Sequence, residues 1–276
     1  MGQTLDKPRV VEAQVNYALD TGQVETFHAN DQSLDTVHRD PHTVEITDAR
    51  TMAAPPRLDV NGFELFEMPS AITDWREAAV VNTVHPPEIA RFIQQVTGAD
   101  EVVVTGPAIL RWGERSGEAG TRDNSYPARL VHSDVYFSAA EQQTREVNPH
   151  PERRVKRCAH HNIWRAFSGP PIDVPLAICD AQTVRDEDVI EASAGFDRDG
   201  QIVWRLPSMN FRFSPRHRWH YYSGMRPEDV LVFKRWDTQA DKARYVPHTG
   251  FSDPTVGEDA VPRASVEMRS IAYWYD

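Results

Sequence analysis

The C-terminal half of the chain is a succession of short strand-like runs cut by turn signals, and that pattern restricts the fold more than any other feature. Runs at 158–167, 175–179, 201–206, 218–222, 230–234 and 266–275 are rich in apolar, aromatic and β-branched residues, which suits a pleated surface with a buried face. Gly169-Pro170-Pro171 and Arg226-Pro227-Glu228-Asp229 punctuate them. Glycine and proline supply backbone angles that a strand cannot continue through. Many short strands beside one early helical block favour a mainly β, antiparallel barrel with flanking helices over a parallel α/β sheet.

Upstream the pattern is mixed. The chain reads as one domain, 1–276, in which residues 1–67 form an N-terminal arm packed on the main body. Within the arm, 10–17 and 43–48 are strand-like, and the polar stretch 26–42 reads as loop. After Pro55-Pro56, the pair Asn61-Gly62 predicts a turn between two strand-like pieces. Residues 73–97 turn helical: a capped start lies near Asp74, Pro87-Glu88 opens a second helix, and Gly98 stops it. A buried strand at 101–105, continued by 109–112, and a glycine-rich charged loop at 113–124 follow. Residues 138–157 read as helix plus loop.

Charge limits the partners. A net charge of −11, from 41 acidic and 30 basic residues, argues against a binder of phosphate backbones, which needs clustered Lys and Arg. The cationic run Arg153-Arg154-Val155-Lys156-Arg157 reads as a solvated strand end. Cys158 and Cys179 lack zinc-site spacing and suit small core positions in a reducing compartment. The polar opening at Met1 shows no leader pattern, and the apolar runs are too short to span a bilayer. We therefore expect a cytoplasmic protein acting on a small molecule, with neither nucleic acid nor membrane as partner. A homodimer stays open.

The chemistry concentrates at Leu130-Val131-His132-Ser133-Asp134-Val135. In an extended chain His132 and Asp134 share a face, so an imidazole and a carboxylate converge. Such a pair is two thirds of the 2-His-1-carboxylate triad that holds a non-haem iron while leaving positions open. The third member expected is His248, in Val246-Pro247-His248-Thr249-Gly250, followed by Arg263 and Ser265. His160 and His161 are rival ligands, but adjacent strand residues face opposite ways, so only one could join a site. By the same parity His160, Asn162 and Trp164 share one face, and His161, Ile163 and Arg165 the other. The aromatic group Trp219, Tyr221, Tyr222 and Trp236 reads as core.

The segments Val131-His132-Ser133-Asp134, Asn162-Ile163-Trp164-Arg165, Gly169-Pro170-Pro171, Pro175-Leu176-Ala177-Ile178-Cys179-Asp180, His217-Arg218-Trp219, Val232-Phe233-Lys234 and Pro247-His248-Thr249-Gly250-Phe251 together resemble one family. It is that of the iron- and 2-oxoglutarate-dependent oxygenases similar to CmcJ-type cephalosporin methoxylation proteins and AsaB-type hydroxylase/desaturases. The resemblance runs from about residue 43 to the C-terminus, with the motifs in order. It implies a double-stranded β-helix barrel of jelly-roll, cupin-like form, with Fe(II) on His132, Asp134 and His248, and 2-oxoglutarate and O2 as co-substrates. It also implies that Arg263, in an Arg-x-Ser element with Ser265, clamps the distal carboxylate of 2-oxoglutarate, as a planar guanidinium fork can. Arg269 and Arg165 compete for that role. Asn162 joins Arg165 as an expected cofactor contact, and Lys234 is a lesser pocket candidate.

The implied reaction is hydroxylation, desaturation or oxidative cyclisation of a small molecule in specialised metabolism. A non-catalytic cupin-like binding protein or accessory subunit is the alternative from another class. A zinc hydrolase is a third, and it leaves the Arg-x-Ser element without a role. The stretches 141–150 and 205–215, which holds Pro207, Asn210 and Arg212, depart from the family pattern where substrate-facing loops are expected.

Overall fold

The strand-dense half of the chain pairs into two facing sheets, and the arm supplies strands to both. The computed structural model describes residues 7–198 and 201–276. In chain order the elements are β1 (Val10–Ala18), β2 (Glu25–His28), β3 (Arg39–Asp48), β4 (Phe63–Glu67), α1 (Ala78–Thr97), β5 (Glu101–Trp112) and β6 (His132–Ser133). There follow α2 (Phe137–Glu146), β7 (Val155–Ala166), β8 (Leu176–Cys179), β9 (Val189–Arg198), β10 (Gln201–Phe211), β11 (Trp219–Tyr221), β12 (Asp229–Asp237), β13 (His248–Gly250) and β14 (Ala264–Tyr275).

Nine strands run β1-β3-β11-β8-β13-β6-β10-β9-β2 in one sheet, and five run β4-β12-β7-β14-β5 in the other. Neighbours are antiparallel except β11 with β3 and β2 with β9. The two sheets form the expected jelly roll, and among the described residues no ladder joins them, so its barrel is not closed.

Alternation on the five-stranded sheet divides the core. Ile163, Val230, Val232, Met268 and Ala272 meet Ile89 and Ile93 of α1 on the outer face. Trp164, Leu231 and Phe233 turn inward against Leu176 and Ile178 of the larger sheet. The inner layer between the sheets is where a site can be both enclosed and reached.

Three local expectations change. The helix is single: α1 runs through Pro86 and Pro87. Proline removes two ladder donors, but Val81, His85, Ile89 and Ile93 form one buried stripe across the pair and hold both halves on the sheet. Its start also lies later, at Ala78, after an Asp74 turn. Gly98, at φ 68, ends it as expected.

The 26–42 stretch is not all loop, because β2 pairs with β9 and β3 reaches back to Arg39. Glu25 satisfies the polar turn between them, accepting from the amide and ring Nδ1 of His38. Around Asn61-Gly62 only one strand forms, β4, after a turn.

Gly62 carries two demands at once. Its φ is +86, and a Cβ there would clash with Val246 Cγ1. Gly62→Ala is therefore expected to destabilise the fold by about 2 kcal/mol or more, from strain and overpacking together. A urea midpoint equal to wild type would refute it.

Candidate metal centre and its two cavities

Two short strands lay the foundation of the site. β6 and β13 pair with His132 opposite His248, which puts both imidazoles on one face with ring centroids 4.3 Å apart. Asp134 follows at i+2. Its Oδ1 lies 3.9 Å from His132 Nε2, and its Oδ2 lies 3.9 Å from His248 Nε2. All three ligating atoms fall within 4.8 Å of one another, and among the described residues no other His, Cys, Asp and Glu set does.

The unused ring atoms set the tautomers. His132 Nδ1 donates to Leu130 O at 2.7 Å, and His248 Nδ1 faces Val246 O at 3.4 Å. A carbonyl only accepts, so each Nδ1 keeps the proton and each Nε2 turns its lone pair to the common centre. Burial, then the nearby His132, hold His248 down to about 3. It is a neutral donor at physiological pH.

Asp134 is held from both sides. Asn162 Nδ2 donates to Oδ2 in a short contact, and Arg269 donates to Oδ1 at 3.2 Å. Burial works against its ionisation, but the guanidinium of Arg269 first, and then the two imidazoles beside it, outweigh that and keep the carboxyl well below its usual range. Arg269 is also paired with Glu267 at 3.3 Å.

Two cavities meet at this centre. The smaller, about 330 Å³, is lined by Trp164, Leu176, Arg111, Arg263 and Glu267 together with the triad. Arg263 is buried over the Trp164 ring, donates through Nε to Ser265 Oγ at 2.9 Å and through a terminal nitrogen to Val174 O at 3.3 Å. Arg111 donates to Tyr126 O at 2.5 Å. Neither guanidinium forms an ion pair among the described residues. Burial first, then the charge of Arg111, pulls Arg263 down to about 9. Glu267 and Glu114 are near enough to act on Arg263 but do not pair with it, and a buried guanidinium left without a direct ion pair suits an incoming anion. The larger chamber, about 540 Å³, shares Arg111, Ala128, His132 and Asp134 and is otherwise lined by Phe27, Ala29, Leu130, Ala194, Phe196 and Leu206 with Asn124, Ser208, Asn210 and Arg269.

The structure thus brings His132, Asp134, His248, Asn162, Arg263 and Ser265 together. It leaves Arg165 out. As parity required, that side chain takes the face opposite Asn162, donates to Pro227 O and Met68 O, and stacks on Trp75. Arg269 sits on the carboxylate of Asp134, and the Asn162 amide goes to the same carboxylate, not into the arginine-lined cavity. Lys234 is likewise no pocket residue, being tied to Asp59 at 2.7 Å and Asp237 at 2.6 Å. His160 bonds Thr144, and His161 lies next to it on the other face of β7, so neither joins the triad. Arg111 and Phe27 were not foreseen. An arginine inside the apolar run Ile109-Leu110-Arg111-Trp112 was the available signal for the first, whereas Phe27 sits in a stretch whose polarity concealed its strand.

A family model described as an oxidoreductase/YMDC permease-like domain matches residues 13–273. Among curated relatives, the Fe(II)/2-oxoglutarate-dependent dioxygenase nvfI of Aspergillus novofumigatus is 28% identical over 242 residues, covering 84% of each chain. The hydroxylase/desaturase CTB9 of Cercospora beticola is 28% identical over 291 residues, covering 96% of this chain and 87% of the relative. The hydroxylase/desaturase asaB of Aspergillus flavus is 35% identical over 130 residues, 44% of this chain and 57% of its own. Among solved structures, the iron and alpha-ketoglutarate-dependent endoperoxidase NvfI superposes with a TM-score of 0.81 at 23% identity, covering 98% of this chain and 99% of the other. The chain belongs to this oxidoreductase family, that of the iron- and 2-oxoglutarate-dependent hydroxylase/desaturases.

Proposed function

We propose that the protein is an Fe(II)- and 2-oxoglutarate-dependent dioxygenase that hydroxylates, desaturates or oxidatively cyclises a small molecule of specialised metabolism. The observation that carries this is the meeting of two cavities at one triad, one that places Arg111 and Arg263 beside the triad and one that is mainly apolar. Two imidazoles and one carboxylate fit Fe(II) with positions left open. His132, Asp134 and His248 would hold it. With 2-oxoglutarate and O2, the bound iron supplies the oxidising equivalents that take hydrogen from a substrate carbon, leaving succinate and CO2.

The chain's own part is placement. Arg263, steadied by Ser265 and Trp164, presents its fork to the distal carboxylate of 2-oxoglutarate, and Arg111 adds positive potential where the cavities join. Asn162 and Arg269 fix the orientation of Asp134. Phe27, Phe196 and Leu206 keep water from the reacting carbon.

We further propose that the chain works as one oxygenase domain with 1–67 as its arm, since β1 and β3 belong to the same sheet as the triad strands. Two buried free thiols support a reducing, cytoplasmic setting. Among the described residues no helix is long and apolar enough to cross a membrane. The acidic charge favours a small-molecule partner over nucleic acid, and a homodimer stays open.

Anaerobic titration of the purified protein with Fe(II) and 2-oxoglutarate tests the assignment. A weak visible charge-transfer band is expected in wild type and absent in His248→Ala. No band at saturating reagents would sink the dioxygenase and favour a binding protein or accessory subunit.

A further inference from the structure

Resting on that dioxygenase assignment, we propose that Ser208 and Asn210 read the substrate. The substrate is then a largely hydrocarbon molecule carrying an uncharged oxygen function, a ketone, ester or alcohol, on the part that lies beside the metal ligands.

Placement comes first. Leu206, Ser208 and Asn210 alternate along β10 and all line the larger chamber. Asn210 stands directly opposite His132 across the β10–β6 ladder. Directly opposed strand residues lie roughly 5 Å apart at their Cα atoms, so the amide starts within one side chain of the centre.

Next comes satisfaction. Asn210 is 3% exposed and Ser208 6%, yet neither side chain makes a hydrogen bond to any described residue. Beside them on the same sheet Phe27, Ala194 and Phe196 offer no side-chain partner, and the rest of the lining includes Arg111, Asn124 and Arg269, none of which bonds either side chain. Lining the chamber without a protein partner, each side chain keeps its hydrogen-bonding capacity for what occupies that space. These polar groups serve something that enters the chamber.

Chemistry then selects the class. An amide and a hydroxyl each offer a donor and an acceptor without charge, which matches a carbonyl or a hydroxyl. The cation nearest the triad, Arg269, is already committed to Asp134 and Glu267. Arg111 lies on the boundary with the small cavity. Sharing Phe196, Asn124 and Arg269 with the chamber, an open cleft is lined mainly by Ile109, Leu110, Trp112 and Trp204, with Arg122 and Asp123. Trp204, its ring 4.7 Å from that of Phe196 and tilted to it, is half exposed. Apolar bulk therefore extends outward from a polar point of contact.

Two soluble neutral aromatics test this on the Co(II)- and 2-oxoglutarate-loaded protein. 4-Fluoroacetophenone carries a ketone and fluorobenzene does not, and paramagnetic broadening of their fluorine signals reports binding near the metal. The ketone is expected to bind about tenfold more tightly, roughly 1.4 kcal/mol. Ser208→Ala should erode that preference, and Asn210→Leu should remove most of it while leaving fluorobenzene binding intact. Asn210→Leu should also melt no lower than wild type, because it deletes an amide with no protein partner.

Equal affinities in wild type, no broadening of either compound, or a preference that survives the double variant would overturn the proposal. The Fe(II)–2-oxoglutarate band, measured on the same preparations, separates the two levels. A band without ketone preference sinks this inference alone, and no band sinks the assignment beneath it.

Discussion

Asp134→Ala is expected to abolish turnover and to weaken metal binding by well over about a hundredfold, beyond the ten- to hundredfold typical of losing an outer partner of a ligand. The carboxylate stands at the meeting point of both imidazoles, 3.9 Å from each Nε2, and each of its oxygens is taken by a different donor. Removing it deletes the only anion of the triad and strands Arg269, which keeps Glu267 as its sole counter-charge among the described residues.

Asn162→Ala is the informative companion. It leaves the ligand in place and loosens one oxygen, so a loss within about ten- to hundredfold is expected. Anaerobic Co(II) titration against a competing chelator measures affinity without turnover, and succinate formation measures the reaction. An Asp134→Ala protein with wild-type metal affinity would remove the triad from the chemistry.

The triad was legible because its geometry is local twice over. His132 and Asp134 share a face by strand parity alone, and His248 needed only one further fact, the pairing of β13 with β6 that sets it opposite His132. The second layer was less legible. Parity separated Arg165 from Asn162, but which face looks inward depends on the sheet that packs against β7, and no local pattern states that. The bulge in β5 opposite Glu267 and Arg269 hid Arg111 in the same way. It faces Ser265 across the ladder, and only the completed register turns it toward both cavities.

The fold followed a similar rule. Strands whose burial alternates were found where expected, whereas β2 was missed because its partner β9 lies far along the chain and its own residues, Glu-Thr-Phe-His, are mostly polar. Phe27, which walls the substrate chamber, went unseen with it. The proline pair in α1 misled in the opposite direction. Local chemistry predicts a break there, and a buried stripe of four residues spanning the pair outweighs it.

Arg263→Leu is expected to raise the KM for 2-oxoglutarate by about a hundredfold or more, the loss of a two-pronged, charge-assisted pair. Arg263→Lys keeps the charge but not the fork, and should fall between. The effect on folding runs the other way. In the free protein Arg263 is a buried cation whose hydrogen bonds go to Ser265 and a carbonyl and whose ionisation burial disfavours. Replacing it with a hydrocarbon of compatible size removes a buried charge that no direct ion pair offsets, so Arg263→Leu should melt at or above the wild-type temperature when no ligand is added. Adding 2-oxoglutarate with Co(II) should then raise the wild-type midpoint much more than that of the variant, because stabilisation by a ligand follows its affinity for the folded state. Thermal melts with and without ligand, beside succinate kinetics, supply both halves. A leucine variant with unchanged KM would move the anchor to Arg111, the other guanidinium in that cavity without an ion pair. A variant that melts far below wild type would mean that Arg263 holds the sheet together through Ser265 and Trp164, and that its charge is compensated before any ligand arrives.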